Sequence, residues 1–213
     1  MILTIEYPST AGFDWSQLAL RMGPHLLWAI LVFSAVLLIG PKKIVAVLLN
    51  ARKISFAGIE IELQGDLADA GRAKNIDITL QSQDQVSRRI LRLISLFSGT
   101  RLLWIDDNPS GNENEIRLLR RLGVIIDLAT NDVEARRQLG GAVYDLVLSD
   151  MGRGENQNAG EQFMPEVAKA ALKPPIVFYV GRSRATPVGA FGLTMRPDHL
   201  FNLIMDALER RRA

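Results

Sequence analysis

From Arg101 onward, short apolar runs alternate with stretches of helical periodicity, and this alternation constrains the fold more than any other feature of the chain. The runs are Arg101 to Ile105 (RLLWI), Val124 to Leu128 (VIIDL), Tyr144 to Ser149 (YDLVLS), Ile176 to Val180 (IVFYV) and Gly192 to Met195 (GLTM). Between them fall Asn112 to Leu122, Asp132 to Leu139 and Gly160 to Leu172, and Pro197 to Arg211 is a last helical segment. Apolar strands joined by such crossovers predict an α/β architecture, a doubly wound five-stranded parallel sheet buried on both faces. Right-handed crossovers limit its topologies, and a sheet of this kind takes its ligand beyond the carboxyl ends of the strands.

At those ends the carboxylates gather. Asp106 and Asp107 terminate the first run and Asp150 the third. Acids at close quarters repel, and each prefers to be neutral unless a cation compensates it. A hard divalent ion such as Mg²⁺, which takes oxygen ligands and keeps several waters, is the economical solution. The plainer reading is that strand-end acids are solvated or cap the next helix. Composition removes other chemistries: the 213 residues contain no cysteine and only two histidines, His25 and His199, so thiol nucleophiles and classical thiolate or histidine metal clusters are out. With 25 Lys+Arg against 23 Asp+Glu and 7% aromatics, nothing argues for nucleic acid.

IDD at 105–107, LVLSD at 146–150, PPIVFYV at 174–180 and GLTMRP at 192–197 resemble the receiver domain of bacterial two-component response regulators over about residues 100–212. The resemblance implies a receiver (flavodoxin-like) fold, Asp150 as phospho-acceptor, Asp106 and Asp107 as the acidic pair holding Mg²⁺, and the backbone carbonyl of Gly152 as a further metal ligand. It also implies a histidine kinase as phosphoryl source. Two positions depart from the family: Val180 stands where a Thr or Ser hydroxyl contacts the phosphoryl group, and Arg196 replaces the Lys before the proline. Arg can pair with phosphate bidentately, but its fork is no copy of an ammonium. Valine cannot hydrogen-bond, which leaves Ser183 as the nearby hydroxyl. Between the fourth and fifth runs, Gly181 to Ala190 has little room for a full helix. Arg153, Arg182, Arg184 and Arg196 lie on segments that can reach the pocket mouth, as a solvated surface or a seat for an anionic ligand.

Before this domain the chain changes character. Leu26 to Ile39 (LLWAILVFSAVLLI) carries no charge, and the span 22–41 has the length that crosses hydrocarbon as a helix. A buried core helix is the alternative; a cleaved signal peptide is disfavoured by Glu6 and Asp14 where basic residues belong. Lys42, Lys43, Arg52 and Lys53 after the span place the C-terminal portion in the cytoplasm, so residues 1–21 are expected outside the inner membrane of a bacterium. Residues 42–98 form a connector, in which Ile54, Phe56, Ile59, Ile61 and Leu63 suggest a small β hairpin. Ser82-x-x-Gln85 suggests a capping box opening a helix with the stripe Val86, Ile90, Leu93 or Ile94, and Phe97, to pack on the domain at 99–213 or to pair with a second copy.

These features together point to a membrane-anchored receiver-like signalling protein, not a turnover enzyme, with Asp150 accepting a phosphoryl group, Arg196 assisting, and the lipid bilayer and a second copy as further partners. No DNA-binding output segment is expected after Arg211. The alternative is a pseudo-receiver that binds a nucleotide or protein partner without phosphorylation, as a membrane effector in stress or defence. A metal-dependent hydrolase is a more distant option, for want of a general base.

Overall fold

The computed structural model describes residues 27–28, 33–34 and 58–212. Residues 27–28 and 33–34 are helical, with Leu27, Trp28 and Phe33 exposed. The rest of the expected span at 22–41, and the connector up to 57, lie outside the described residues. Among the described residues no helix is long and apolar enough to cross a membrane. The chain divides into two units, Met1–Phe56 and Ala57–Ala213, and the second carries the sheet.

Five parallel strands form that sheet: β1 Arg101–Ile105, β2 Ile125–Ala129, β3 Leu146–Ser149, β4 Ile176–Tyr179 and β5 Gly192–Thr194, in the order β2-β1-β3-β4-β5. Around it are α1 (58–73), α2 (Leu80–Arg92), the single turn α3 (Ile94–Phe97), α4 (Glu113–Arg121), α5 (Asp132–Gly141), α6 (Ala159–Lys169) and α7 (Pro197–Arg212), with a 3₁₀ turn at Pro109–Asn112. The strands lie within a residue or two of their expected positions. No helix stands between β4 and β5.

Alternation along the strands divides the core in two. Leu102, Trp104, Leu146, Leu148, Val177 and Tyr179 point to the face covered by α4 and α7. Leu103, Ile105, Val147, Ile176 and Phe178 point to the face of α5 and α6, where Phe163 and Val167 meet them. Trp104 and Tyr179 pack edge to face, with ring centroids 6.2 Å apart.

The connector departs from expectation at its first described residues. Instead of a hairpin, residues 58–73 are a helix. The alternation Ile59, Ile61, Leu63 does not set its burial: Leu63, Leu67 and Ala70, spaced as one helical face, are buried, while Ile61 is 69% exposed. The polar residues between them, Glu60, Glu62, Gln64 and Asp66, favour a helix over an isolated hairpin. α2 forms as expected, with a different cap. Thr79, not Ser82, is the N-cap, and its Oγ1 accepts from Ser82 N (3.2 Å). Ser82 Oγ instead donates to Asp198 on α7 (2.6 Å).

Of the two fates open to the α2 stripe, the structure takes the first. Val86, Ile90 and Phe97 join Leu63 and Leu67 in the core beneath α4 and α7. Arg89 binds Asn202, Asp206 and Glu209 of α7, and Arg121 of α4 binds Glu62 and Asp66 of α1. Helices α1 and α2 are thus an outer layer of the same unit, and the Val86–Phe97 stripe is not free for a second copy.

Candidate functional site

β1 and β3 are neighbours, and the ladder continues one residue past each strand: Asp106 N donates to Ala129 O and Asp150 N to Ile105 O, both at 2.9 Å. The backbone therefore holds both aspartates side by side at the carboxyl edge of the sheet. Asp106 is buried, and its oxygens accept from Asn108 N (2.7 Å) and Asn112 Nδ2 (2.6 Å). Asp150 is half-buried; Oδ1 accepts from Met151 N (2.7 Å), and among the described residues Oδ2 has no donor. Asp107 is exposed and accepts from Gly154 N (2.7 Å), closing the loop that comes after Asp150.

Burial pushes the Asp106 pKa up, and the Asp107 charge adds to it, against the opposing Asn108 N–H, Lys74 charge and Asn112 amide. Asp150 is likewise raised, by burial first and then by Asp106 and Asp107. Glu115, deeper in the same end of the fold, is raised by burial although Tyr179 OH donates to it at 2.6 Å. The donor set is hard oxygen in a field that penalises its own charge, and in chemistry it fits a divalent cation such as Mg²⁺. Among the described residues no three Asp, Glu or His groups are gathered into ligating geometry, in keeping with Asp107 being turned to Gly154.

These raised carboxylates set a pH dependence. A carboxyl whose folded pKa exceeds its unfolded value stabilises the fold below that value and loses the contribution as pH climbs through the folded pKa. Asp127, Glu134 and Asp198 act oppositely: net of burial, their hydrogen bonds from Arg101, Thr130, and Arg196 with Ser82 hold them below the ordinary range. The metal-free protein is therefore expected to melt highest just above the ordinary carboxylate values of 3.8 and 4.5, with stability falling toward neutrality and also below that window. Thermal melts from pH 3.5 to 7.5, with and without Mg²⁺, check this; a monotonic rise to pH 7 without metal contradicts it.

Beyond Asp150 the chain must double back, and two devices hold it. Arg153 is buried: Nε donates to Asp132 (2.7 Å), and one terminal nitrogen donates to Ser149 Oγ (3.0 Å) and Asp150 O (3.1 Å). Gly160 opens α6 against this loop, where a Cβ would stand 2.5 Å from Asp150 O and 2.8 Å from the Phe178 ring. Gly160→Ala is expected to cost about 1–3 kcal/mol, measured by urea denaturation, through displacement of the Asp150 backbone.

Asp150, Met151, Gly152, Val180, Arg182 and Ser183 line a cleft of about 460 Å³. Arg184 lines it too and bridges it, donating to Gln157 O (2.9 Å) and Asn158 Oδ1 (2.7 Å). Val180 is buried and leaves no hydroxyl at its position. Arg196 is directed elsewhere, to Asp198 (3.0 and 3.1 Å) and the Asp77 carbonyl (3.3 Å). The structure thus brings Asp106, Asp107, Asp150 and Gly152 to one end of the sheet, while the Arg196 side chain is taken up by Asp198 and the Asp77 carbonyl. Of the four arginines expected at the mouth, Arg182 and Arg184 are there, while Arg153 lies beneath.

No protein-family model matches the chain, and no curated protein matches it. The sheet order, with acids ending β1 and β3, is the flavodoxin-like order found in receivers. Residues 101–212 have a flavodoxin-like fold. Solved structures similar to the chain include the N-terminal domain of a response regulator/sensory box/GGDEF 3-domain protein from Carboxydothermus hydrogenoformans (20% identity, TM-score 0.46, covering 53% of this chain and 97% of that one). A two-component response regulator from Clostridium difficile has 20% identity and a TM-score of 0.47, covering 54% and 99%. A response regulator from Thermotoga maritima, solved in complex with Mg²⁺-BeF, has 23% identity and a TM-score of 0.44, covering 51% and 98%.

The acidic end of the sheet has members that no sequence motif marks. Lys74, in the turn between α1 and α2, donates to Asn112 Oδ1 (2.7 Å) and Gly111 O (3.2 Å) and lies 4.0 Å from Glu115. No motif marks it; the only signal is the polar NENE stretch at 112–115, whose Asn112 and Glu115 are buried.

Proposed function

We propose that this chain is a membrane-anchored receiver-like signalling protein whose domain accepts a phosphoryl group on Asp150. The observation that carries this reading is the Asp150 carboxylate, which keeps Oδ2 free of donors among the described residues, lines an arginine-bearing cleft and stands beside Asp106. Asp106, Asp107, Asp150 and the Gly152 carbonyl would hold Mg²⁺, which supplies charge neutralisation for the transferring oxygens. Asp150 would serve as nucleophile toward the phosphorus of a histidine-bound or acyl phosphate donor, forming an aspartyl phosphate as the donor's P–N or P–O bond breaks and imidazole or carboxylate leaves. Arg182 and Arg184 at the cleft offer cationic donors to the incoming group. Under this reading the span at 22–41 crosses the inner membrane of a bacterium with residues 1–21 outside. The signal leaves through the membrane-proximal half or through self-association that does not use the α2 stripe.

The test is intact mass after incubation with acetyl phosphate and Mg²⁺. The expected result is a gain of one phosphoryl group that Asp150→Asn abolishes and Val180→Thr prolongs. Mg²⁺-dependent stabilisation without any mass gain would overturn phosphoryl acceptance. It would favour a second reading, a pseudo-receiver whose cleft binds an anionic nucleotide or protein group. The engagement of Arg196 by Asp198, together with the missing hydroxyl at Val180, favours that reading.

A further inference from the structure

The turn between α1 and α2 is tied down at two points, each belonging to a different part of the receiver-like end. On one side Lys74 Nζ donates to Asn112 Oδ1 and Gly111 O, and Asn112 Nδ2 donates in turn to Asp106 Oδ2. The Asn112 amide is thus polarised from both ends, by an ammonium on its oxygen and a carboxylate on its nitrogen, and each bond strengthens the other. On the other side Arg196 donates to the Asp77 carbonyl while gripping Asp198, which also receives Ser82 of α2. Lys74 stands 4.8 Å over the Tyr179 ring and 4.0 Å from the buried Glu115. Lys74 thus brings a cation from the turn of the outer layer to the acidic end, while Arg196, from the position where a receiver carries its lysine, reaches outward to the turn.

We propose that Lys74 is a positioning residue for the acidic pocket, and that through Asn112 it carries changes in the pocket's charge to the α1–α2 turn. Negative charge on Asp106 holds Lys74, and with it the turn. Neutralising that charge loosens Lys74 and weakens one of the turn's two tethers, leaving it the Gly111 carbonyl and Glu115. A bound divalent cation acts with the same sign, since it cancels the carboxylate charge and adds its own repulsion toward the ammonium. The part of this statement that concerns Mg²⁺ rests on the metal reading above; the coupling between Asp106 and the turn does not.

The experiment is a double-mutant cycle on the full chain, read by amide hydrogen exchange over residues 70–80. There Asn75 N donates to Arg72 O and Ile76 N to Gly71 O. Exchange in α6 reports any global loss of stability. Asp106→Asn is expected to speed exchange of the turn about tenfold in the parent and less than about twofold in a Lys74→Met background. The cycle is run in parallel with Lys74→Gln, and either substitution carries it if the other does not fold. Additive effects, or equal acceleration in α6 and in the turn, would overturn the proposal and leave Lys74 as a structural tether. Addition of Mg²⁺ to the parent should reproduce the Asp106→Asn effect and should do little in the Lys74 variants. A coupled cycle with no Mg²⁺ effect in the parent would retain Lys74's role and reject the metal reading instead.

Discussion

A chain shortened to residues 100–213 is expected to aggregate, or to unfold at far lower urea than 57–213. The cut removes Leu63, Leu67, Val86, Ile90 and Phe97, five side chains each no more than 3% exposed, from the core they share with Leu102, Leu122, Leu200 and Ile204. Truncating a single such residue costs about 2–5 kcal/mol, and a whole domain holds only about 5–15 kcal/mol in reserve. Losing the layer therefore exceeds what the remaining sheet can bear, and it uncovers apolar helix surface. Urea denaturation and gel filtration of the two pieces decide the matter, with Leu67→Ala and Ile90→Ala in 57–213 each expected at about 2–5 kcal/mol. Equal stability of the two pieces would mean that α1 and α2 merely rest on the domain.

Replacing Arg153 with Ala is expected to cost about 3 kcal/mol and to release the loop after Asp150. Its side chain is 6% exposed, and it binds Asp132 on α5, the Ser149 hydroxyl and the Asp150 carbonyl, besides lying 5.7 Å over the Phe163 ring. Removing it leaves Asp132 without that partner and a guanidinium-sized void beneath Asp150. Among the described residues the second terminal nitrogen is already buried without a partner, so the net loss falls short of what three ideal charge-assisted bonds would give. Arg153→Lys is expected to recover less than half, because one ammonium cannot follow the planar fork to both neighbours. Thermal melts give the stability, and faster amide exchange over residues 151–158 gives the loop; an unchanged loop would show that Gly160 and the Asp107–Gly154 bond suffice.

The sheet is legible in the sequence because fully buried parallel strands are continuous apolar runs, and RLLWI or IVFY needs no context to be read. The strand-end acids come with it, since Asp106, Asp107 and Asp150 end runs that the sheet order makes neighbours. The α1 segment misleads because its apolar residues fall at positions compatible with a strand for three steps. The buried set, Leu63, Leu67 and Ala70, becomes visible only when α4 is there to receive it. Ser82 resembles a cap since a hydroxyl with Gln three residues on is the usual signature. Its actual partner, Asp198, lies 116 residues away. Motif position assigns Arg196 to the pocket, but the nearby Asp198 carboxylate offers the guanidinium two acceptors and draws it off. Lys74 has no local signal at all, because its partners are brought to it by the packing of α1 on α4.

The contacts that seat α2 and α3 have a consequence for the order in which the molecule can be made. Arg89 with Asp206 and Arg212 with the Ser95 carbonyl each span 117 residues, and Ser82 with Asp198 spans 116. A ribosome adding about 5–20 residues per second leaves the α2 stripe waiting roughly 6–25 s before α7 emerges to cover it. Through that interval Val86, Ile90 and Phe97 form an uncovered apolar ridge on a nascent chain whose earlier residues include the expected membrane span. A holding chaperone is therefore expected to engage this ridge until α7 arrives.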